Sequence, residues 1–319
     1  MQTEIIPHPG GGEPQPGVKG QDAPATLPIA HTGGGEAGGR AIDMHVHVPP
    51  PPGHPAAEET ERLAAYFGAG PMPRSPAEMY ETYEALDIFG VIFAIDAETA
   101  SGVPYVGNDW VAGVVRQYPH RFLGFASVDP WKGKLALQEL ERAAIELDLR
   151  GLKLHPTTQA FFPNDPRFYP LWEKCAALDL PVLFHTGQTG VGAGTPGGGG
   201  FKLKYAQPIP YLDDVAADFP ELTIIMAHPA VPWQEEQLAL ALHKANVFID
   251  LSGWSPKYFR PMLIQYATTL LQDKVLFGSD YPALQPGRWL RDFEALEIKP
   301  EVRQKILLEN ARRLLKLGG

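Results

Sequence analysis

The sequence predicts a (β/α)8 TIM barrel, an α/β fold in which eight parallel strands alternate with helices. Eight short runs from Ala41 onward are apolar along nearly their whole length, as strands covered on both faces should be. A helical pattern follows these runs in turn, so strand and helix alternate through the domain. An open doubly wound sheet is the alternative, but no G-x-G-x-x-G sequence follows the first run.

The predicted strands cover residues 41–47, 91–96, 122–128, 151–155, 182–185, 222–228, 247–251 and 275–279. Helical patterns cover about 108–118, 134–147, 168–178, 209–219, 233–245, 258–271 and 301–317. Another helix is expected to begin at residues 75–78, where Ser75 and Glu78 form a capping box and Pro76 takes the first helical position. Gly90 is expected to end that helix.

Composition narrows the class of protein. The 319 residues suit one barrel, which typically takes about 250 residues. The single cysteine, Cys175, excludes a disulfide framework, and we expect it to lie in the core. A net charge of −10 with no basic block argues against nucleic acid as a partner. No apolar stretch approaches bilayer length and no signal peptide is evident, so a cytoplasmic enzyme acting on a small molecule is expected.

Residues 1–40 differ from the rest of the chain. Glycine and proline dominate this segment, and no periodic apolar pattern appears in it. Such a composition cannot bury enough apolar surface to offset its ordering entropy. We therefore expect a flexible or peripherally wrapped extension, with His8 and His31 solvated, followed by a catalytic domain over residues 41–319.

Polar side chains recur at the ends of five predicted strands. They are His45 and His47 after strand one, Lys153 and His155 after strand four, His185 after strand five, His228 after strand six and Asp280 after strand eight. Chemistry in this fold sits at the carboxyl ends of the strands, and side chains two apart on a strand share a face. His45, His47, His185 and Asp280 can therefore converge on one point. This ligand set suits Zn²⁺, with Mn²⁺, Fe²⁺ or Co²⁺ as alternatives.

These motifs resemble the amidohydrolase superfamily, and most of all its branch of aminocarboxymuconate-semialdehyde decarboxylase and related aromatic-acid decarboxylases and hydrolases. The motifs that carry the resemblance are residues 43–47, 151–156, 185, 227–229 and 278–282. The resemblance implies one metal ion per chain held by His45, His47, His185 and Asp280, with His228 as a second catalytic residue beside Asp280. Relatives are commonly dimers or tetramers, so a homo-oligomer is expected.

Several residues near the expected barrel mouth are candidates for substrate binding. Lys153 and His155 share a strand face and could line the pocket, although some superfamily members use a carbamylated lysine at this strand to bridge two metals. Trp254 and Arg260 follow strand seven and would suit an aromatic or conjugated acid. His54 in the first loop is a further pocket candidate, whereas His120 and His243 are expected to be structural.

The expected reaction is hydrolysis, in which metal-activated water attacks a carbonyl of an aromatic or acyl substrate. The glycine-rich residues 188–200 resemble those of 4-hydroxyphenyl-β-ketoacyl-CoA hydrolases, which would place Lys202 and Lys204 near CoA phosphates. Non-oxidative decarboxylation of an aromatic or conjugated acid is the alternative, because it uses the same residues. A barrel that only binds a ligand is the remote alternative.

Overall fold

The structure, a computed structural model, describes residues 39–67 and 72–318. Eight strands form its centre: β1 (Ala41–His47), β2 (Ile88–Phe93), β3 (Phe122–Gly124), β4 (Leu152–Leu154), β5 (Val182–His185), β6 (Ile224–Ala227), β7 (Val247–Asp250) and β8 (Val275–Leu276). They pair in parallel as β1-β2-β3 and as β4-β5-β6-β7-β8. Isolated parallel bridges join Ala126 to Leu152 and Val46 to Tyr281. The eight strands therefore close into the predicted barrel.

Helices surround the strands. They are α1 (Ala56–Phe67), α2 (Pro76–Leu86), α3 (Glu98–Ser101), α4 (Asn108–Gln117), α5 (Lys134–Ile145), α6 (Pro156–Gln159), α7 (Tyr169–Ala177), α8 (Tyr211–Asp218), α9 (Gln234–His243), α10 (Pro261–Ala267), α11 (Pro286–Glu294), α12 (Pro300–Gln304) and α13 (Asn310–Leu314). A π-helical turn, Lys305–Glu309, joins α12 to α13. In the part of the chain that the structure describes, each helix is too short or too polar to span a bilayer.

Two apolar clusters hold the barrel together. The smaller cluster fills the inside and takes alternate strand residues, such as Phe89, Val91 and Phe93 of β2. The larger cluster lies between the strands and the helices and includes Trp172 and Phe184, whose rings meet edge to face. Every strand except β4, whose middle residue is Lys153, contributes to both clusters, so these strands are apolar on both faces, which explains the continuous apolar runs.

The prediction for Gly90 was wrong. Helix α2 ends at Leu86, and Asp87 takes the left-handed capping conformation with φ 51°. Gly90 instead lies within β2, which begins at Ile88 rather than at residue 91. A Cβ atom at Gly90 would lie 3.0 Å from the Tyr83 ring and 3.1 Å from the Phe122 ring. The glycine therefore serves close packing of the helix on the sheet, not helix termination.

Two predicted helices are interrupted. The pattern over 258–271 consists of a 3-10 turn, Pro256–Tyr258, and then α10, because Pro261 begins a new helix. The pattern over 301–317 is α12, the π-helical turn and α13. The predicted N-terminal extension, with His8 and His31, lies outside the described residues apart from Gly39 and Arg40.

Candidate metal and active site

The barrel brings the predicted site residues together at the carboxyl ends of the strands. Asp280 Oδ1 lies 3.2 Å from His47 Nε2 and 3.4 Å from His45 Nε2. On the facing strands, His185 Nδ1 lies 3.0 Å from His228 Nε2. His45, His228 and Asp280 each offer one ligand atom within 4.8 Å of the others. The structure thus groups His228 with two of the predicted ligands, whereas the sequence predicted His47 and His185 as the other ligands and His228 as a second catalytic residue.

The backbone is unusual at two of these residues. His228 has φ 69° and Asp280 has φ 71°, the left-handed region that few residues other than glycine adopt. Surrounding bonds hold both conformations: Gln237 Nε2 donates to the His228 carbonyl at 2.7 Å, and Asp280 N donates to the His45 carbonyl at 3.0 Å. Such strain persists where neighbouring structure enforces it, and it is frequent at functional sites.

A buried carboxylate below the site braces the first strand. Asp43 Oδ1 accepts hydrogen bonds from the backbone nitrogens of His45 at 3.1 Å and Ser279 at 2.8 Å. Its other oxygen accepts from the hydroxyl groups of Tyr83 and Ser279. Burial raises the pKa of Asp43 to about 6, although these four donors oppose that shift. Asp43 therefore ties β1 to the segment that carries Asp280.

A second buried carboxylate lies beside His45. Asp250 Oδ2, at the end of β7, is 2.7 Å from His45 Nδ1. The hydroxyl of Ser252, two residues further on, lies 3.0 Å from His45 Nδ1 and 2.9 Å from His228 Nδ1. Sequence reasoning assigned neither residue to the site, because each becomes a neighbour of the histidines only when β7 lies between β6 and β8. The one available signal was a polar residue at the end of an apolar run.

The charges suit a bound cation. Burial lowers the pKa of His45 and His185 well below the ordinary range and that of His228 to about 4, so these imidazoles are neutral near pH 7. Burial acts to raise the pKa of Asp280, but the hydrogen bond from His47 and nearby positive charges outweigh it. The net lowering keeps Asp280 ionised. Neutral imidazoles and a carboxylate are ligands for a divalent metal.

Two further observations fit a cation at this point. His185 Nε2 is buried and has no hydrogen-bond partner, which is costly unless its lone pair is used. On the other side, Lys153 Nζ lies 3.3 Å from His45 Nε2, so an ammonium group already faces that nitrogen. Nε2 of His45 thus lies between Lys153 Nζ and Asp280, whereas His185 meets the cluster through Nδ1, 3.0 Å from His228 Nε2.

Lys153 and His155 both lie at the predicted place on β4. Lys153 is fully buried, with Nζ 5.1 Å from the Phe93 ring centroid. Burial lowers its pKa, while Asp250 and Asp280 act to raise it. His155 stacks on His185 with ring centroids 3.8 Å apart, and its Nδ1 accepts a hydrogen bond from Thr158 N. His155 therefore supports the His185 ring, and Lys153 lies in the centre of the site.

The other predicted pocket residues separate into two groups. Trp254 and Arg260 line a cavity of about 60 Å³ whose wall also includes Pro229, the residue that follows His228. His54 makes a local contact, accepting a hydrogen bond from the Ala56 nitrogen at 3.2 Å. This contact belongs to the turn before α1, and no described bond links His54 to the metal ligands.

The remaining candidates are exposed side chains or lie inside the core. Lys202 and Lys204 are exposed, and Lys204 Nζ lies over the rings of Phe162 and Tyr205. His120 and His243 are exposed. Cys175 is buried, and burial raises the pKa of its thiol far above the ordinary value, as expected for a core residue.

A family model described as Amidohydrolase matches residues 42–317. The chain belongs to this amidohydrolase family. The resemblance drawn from the strand-end motifs is therefore confirmed.

Among solved structures, the chain is similar to an uncharacterized TIM-barrel protein from Bordetella bronchiseptica. The two share 28% identity with a TM-score of 0.73, over 87% of this chain and 98% of that one.

Three curated proteins are similar to this amidohydrolase in sequence. The chain is 28% identical to 2-keto-4-carboxy-3-hexenedioate hydratase from Sphingobium sp., over 86% of this chain and 95% of that protein. It is 24% identical to gamma-resorcylate decarboxylase from Polaromonas sp., over 70% of this chain and 79% of that protein. A 33% identical match to 2-amino-3-carboxymuconate-6-semialdehyde decarboxylase from Dictyostelium discoideum covers 24% of this chain and only 22% of that protein.

Proposed function

We propose that this protein is a metal-dependent lyase that removes CO2 from an aromatic or conjugated carboxylic acid. One feature of the site carries the proposal: the Asp280 carboxylate lies 3.2 Å from His47 Nε2 and 3.4 Å from His45 Nε2, so an acid–base group adjoins the metal ligands. The similarity to gamma-resorcylate decarboxylase, over 79% of that protein, supports decarboxylation as the use of this arrangement. This similarity favours decarboxylation, the alternative in the sequence analysis, over hydrolysis.

The proposed ligands of the ion are His45, His47, His185 and Asp280. When bound, a divalent ion would polarise the carboxylate and a neighbouring oxygen of the substrate. Zn²⁺ or Mn²⁺ suits these donors, with Fe²⁺ and Co²⁺ as alternatives. His228 lies against both His185 and Ser252, and we propose that it hydrogen-bonds the bound substrate.

In the proposed reaction, Asp280 first takes a proton from water, and the hydroxide that remains combines with the released CO2 to give bicarbonate. The bond between the substrate carbon and its carboxyl group then breaks, and the electron pair stays on that carbon. Asp280 gives its proton to this carbon as CO2 departs, and it returns to the ionised form that its environment favours. Lys153 would compensate the negative charge of the bound acid, and Trp254 and Arg260 would contact its distal end.

Hydration is a second candidate, favoured by the match to a hydratase over 95% of that protein. The same residues would serve it, because Asp280 could direct water onto an unsaturated acid instead of delivering a proton to it. Hydrolysis of an acyl-CoA, with Lys202 and Lys204 near its phosphates, has less support because the named relatives are decarboxylases and a hydratase. A barrel that binds without catalysis is the remaining alternative.

The test is a substrate panel with the metal-loaded protein. Hydroxybenzoates, conjugated dicarboxylic acids and acyl-CoA esters would be assayed for CO2 release, loss of conjugated absorbance and free CoA thiol. CO2 release supports the proposal, whereas hydration without CO2 release, or CoA release, would refute it in favour of the corresponding alternative. No turnover of any compound would support the binding-protein alternative.

The role of Asp280 has its own test. Asp280→Asn should lower turnover by on the order of 100-fold or more, because an amide cannot transfer the proton. Asp292→Asn on α11 is the control, since Asp292 is a partly exposed carboxylate that bonds Ser255. Turnover by Asp280→Asn equal to that of the control would exclude Asp280 as the acid.

Elemental analysis and size-exclusion chromatography would identify the metal and test the proposed dimer or tetramer.

A further inference from the structure

The cavity that Trp254 and Arg260 line contains polar groups without partners. Its wall is formed by Pro229 and Val231 after β6, by Gln234 at the start of α9 and by residues 254 and 258–260 after β7. A volume of about 60 Å³ has room for a few water-sized groups. One end of a small molecule, such as a carboxylate group, therefore fits in it.

The cavity adjoins the candidate metal and active site. Pro229 follows His228 directly in the chain, and Trp254 follows Gly253. A Cβ atom on that glycine would lie 2.6 Å from His228 Nδ1 and 3.3 Å from Asp280 Oδ2. Since consecutive Cα atoms are about 3.8 Å apart, the cavity wall begins about one residue from these side chains. A substrate bound at the metal ligands can therefore extend its other end into the cavity.

The first group without a partner is the amide of Gln234. This residue is 3% exposed, yet its side chain makes no hydrogen bond to any residue that the structure describes. A buried amide is costly unless it is hydrogen-bonded, and Gln234 lines the cavity. Gln234 is also the first residue of α9, whose N-terminus has no side-chain cap. The positive end of this helix therefore lies at the same wall and favours an anion.

The second group is the guanidinium of Arg260. Within the described part of the chain, Arg260 forms no ion pair and no side-chain hydrogen bond. A free guanidinium offers five N–H donors in a fork that matches a carboxylate. The neighbouring Lys257 places Nζ 4.7 Å from the ring centroid of Tyr258, another wall residue, and adds positive charge. The cavity is therefore electropositive in a chain of net charge −10.

Acidic side chains near the cavity do not compete for these donors. The described residues that line it include no aspartate and no glutamate. Glu235 and Glu236 follow Gln234 in α9, but Glu235 is exposed and Glu236 accepts from Gln207 Nε2 at 3.3 Å. The donors of Gln234 and Arg260 are thus free for a bound anion.

We propose that this cavity is a second anion-binding subsite, in which Arg260 and Gln234 bind a carboxylate of the substrate remote from the reacting one. The rings of Trp254 and Phe259 in its wall suit a planar molecule. The substrate class is then a planar dicarboxylic acid, with one carboxylate at the metal ligands and the other in the cavity. This inference rests on the proposed function for the first carboxylate, but it does not depend on which reaction follows.

The experiment compares ligands that differ only in one carboxylate. Hexa-2,4-dienedioate and hexa-2,4-dienoate form a conjugated pair, and benzene-1,3-dicarboxylate and benzoate form an aromatic pair. Isothermal titration calorimetry would measure binding of each acid to the Zn²⁺-loaded full-length protein. Because hydrogen bonds to a charged group add about 10- to 100-fold in affinity, the diacid of at least one pair should bind that much more tightly than its monoacid.

Variants assign this preference to the cavity. Arg260→Met and Gln234→Met remove the donors but keep an unbranched side chain, so each should reduce the preference for the diacid and change monoacid binding little. Arg288→Met, at an exposed arginine of α11, and Gln207→Met, at the amide that bonds Glu236, are the matched controls. Both should keep the wild-type preference. An equal loss in Arg288→Met and Arg260→Met would reduce the preference to a general effect of charge and refute the subsite.

Two further results would overturn the subsite. One is a diacid that binds no more tightly than its monoacid in either pair. The other is CoA binding that Arg260→Met weakens while diacid binding is unchanged, because the cavity would then hold a phosphate and not a carboxylate. The reaction is decided separately by the substrate panel: a protein that prefers the diacid but releases no CO2 from any acid would refute decarboxylation and retain the subsite.

Discussion

Gly253 leaves space for the ring of His228, and replacing this glycine with alanine should displace that ring. Gly253 has φ 75°, and a Cβ atom there would lie 2.6 Å from His228 Nδ1 and 3.3 Å from Asp280 Oδ2. Ordinary van der Waals contact begins near 3.4 Å. The His228 ring must therefore move by about 0.8 Å, or the loop must move instead.

The expected effect of Gly253→Ala has two parts, one on stability and one on turnover. Alanine in the left-handed region costs about 1–2 kcal/mol of stability, independent of what surrounds it. The displacement also lengthens the 2.9 Å contact between Ser252 Oγ and His228 Nδ1, or re-aims the ring. Because a misplacement of about 1 Å in an active site can cost on the order of 100-fold, we expect turnover of Gly253→Ala to fall by about that factor.

Gly102→Ala separates these two effects. Gly102 has φ 72°, and no atom lies within 4 Å of a Cβ built on it. Urea unfolding should show the backbone cost of about 1–2 kcal/mol in both variants and an added loss from the clash in Gly253→Ala, whereas turnover of the substrate identified by the panel should fall only in Gly253→Ala. Equal turnover in the two variants would refute the steric argument for His228.

Three other outcomes are expected. In the metal-free protein, the free energy of unfolding should fall as pH drops from about 6.5 toward 4, because His45, His155, His185 and His228 stay neutral when folded while the unfolded chain takes up their protons. Urea midpoints that do not change over this range would contradict this. Cys175 should resist a thiol reagent near pH 8 until the protein is unfolded, since burial keeps it protonated. Zn²⁺ at about 100 times its Kd should raise the unfolding free energy by about 2.7 kcal/mol, and an unshifted urea midpoint would argue against the site.

Much of the fold follows from local sequence. Apolar runs between helical patterns predicted all eight strands, because parallel strands covered on both faces have no polar side. Their bounds were less accurate at β2, where Asp87 rather than Gly90 takes the helix cap. A cap residue with φ above zero is usually glycine, so an aspartate in that role left no clear local signal. Packing against Tyr83 and Phe122 decided the place of Gly90.

For the candidate site, too, local sequence determined one part and tertiary structure the other. The sequence by itself determined which histidines and which aspartate stand at strand ends, since strand periodicity and position along the run are local properties. Only the tertiary structure decided what each side chain contacts. Asp250 and Ser252 lie more than 200 residues from His45 in the chain, yet both bond its ring. Such contacts depend on barrel closure and on the order of β6, β7 and β8, which no local pattern encodes. The sequence thus determined which candidate ligands stand at the strand ends, whereas the closed barrel decided which hydrogen bonds their side chains make.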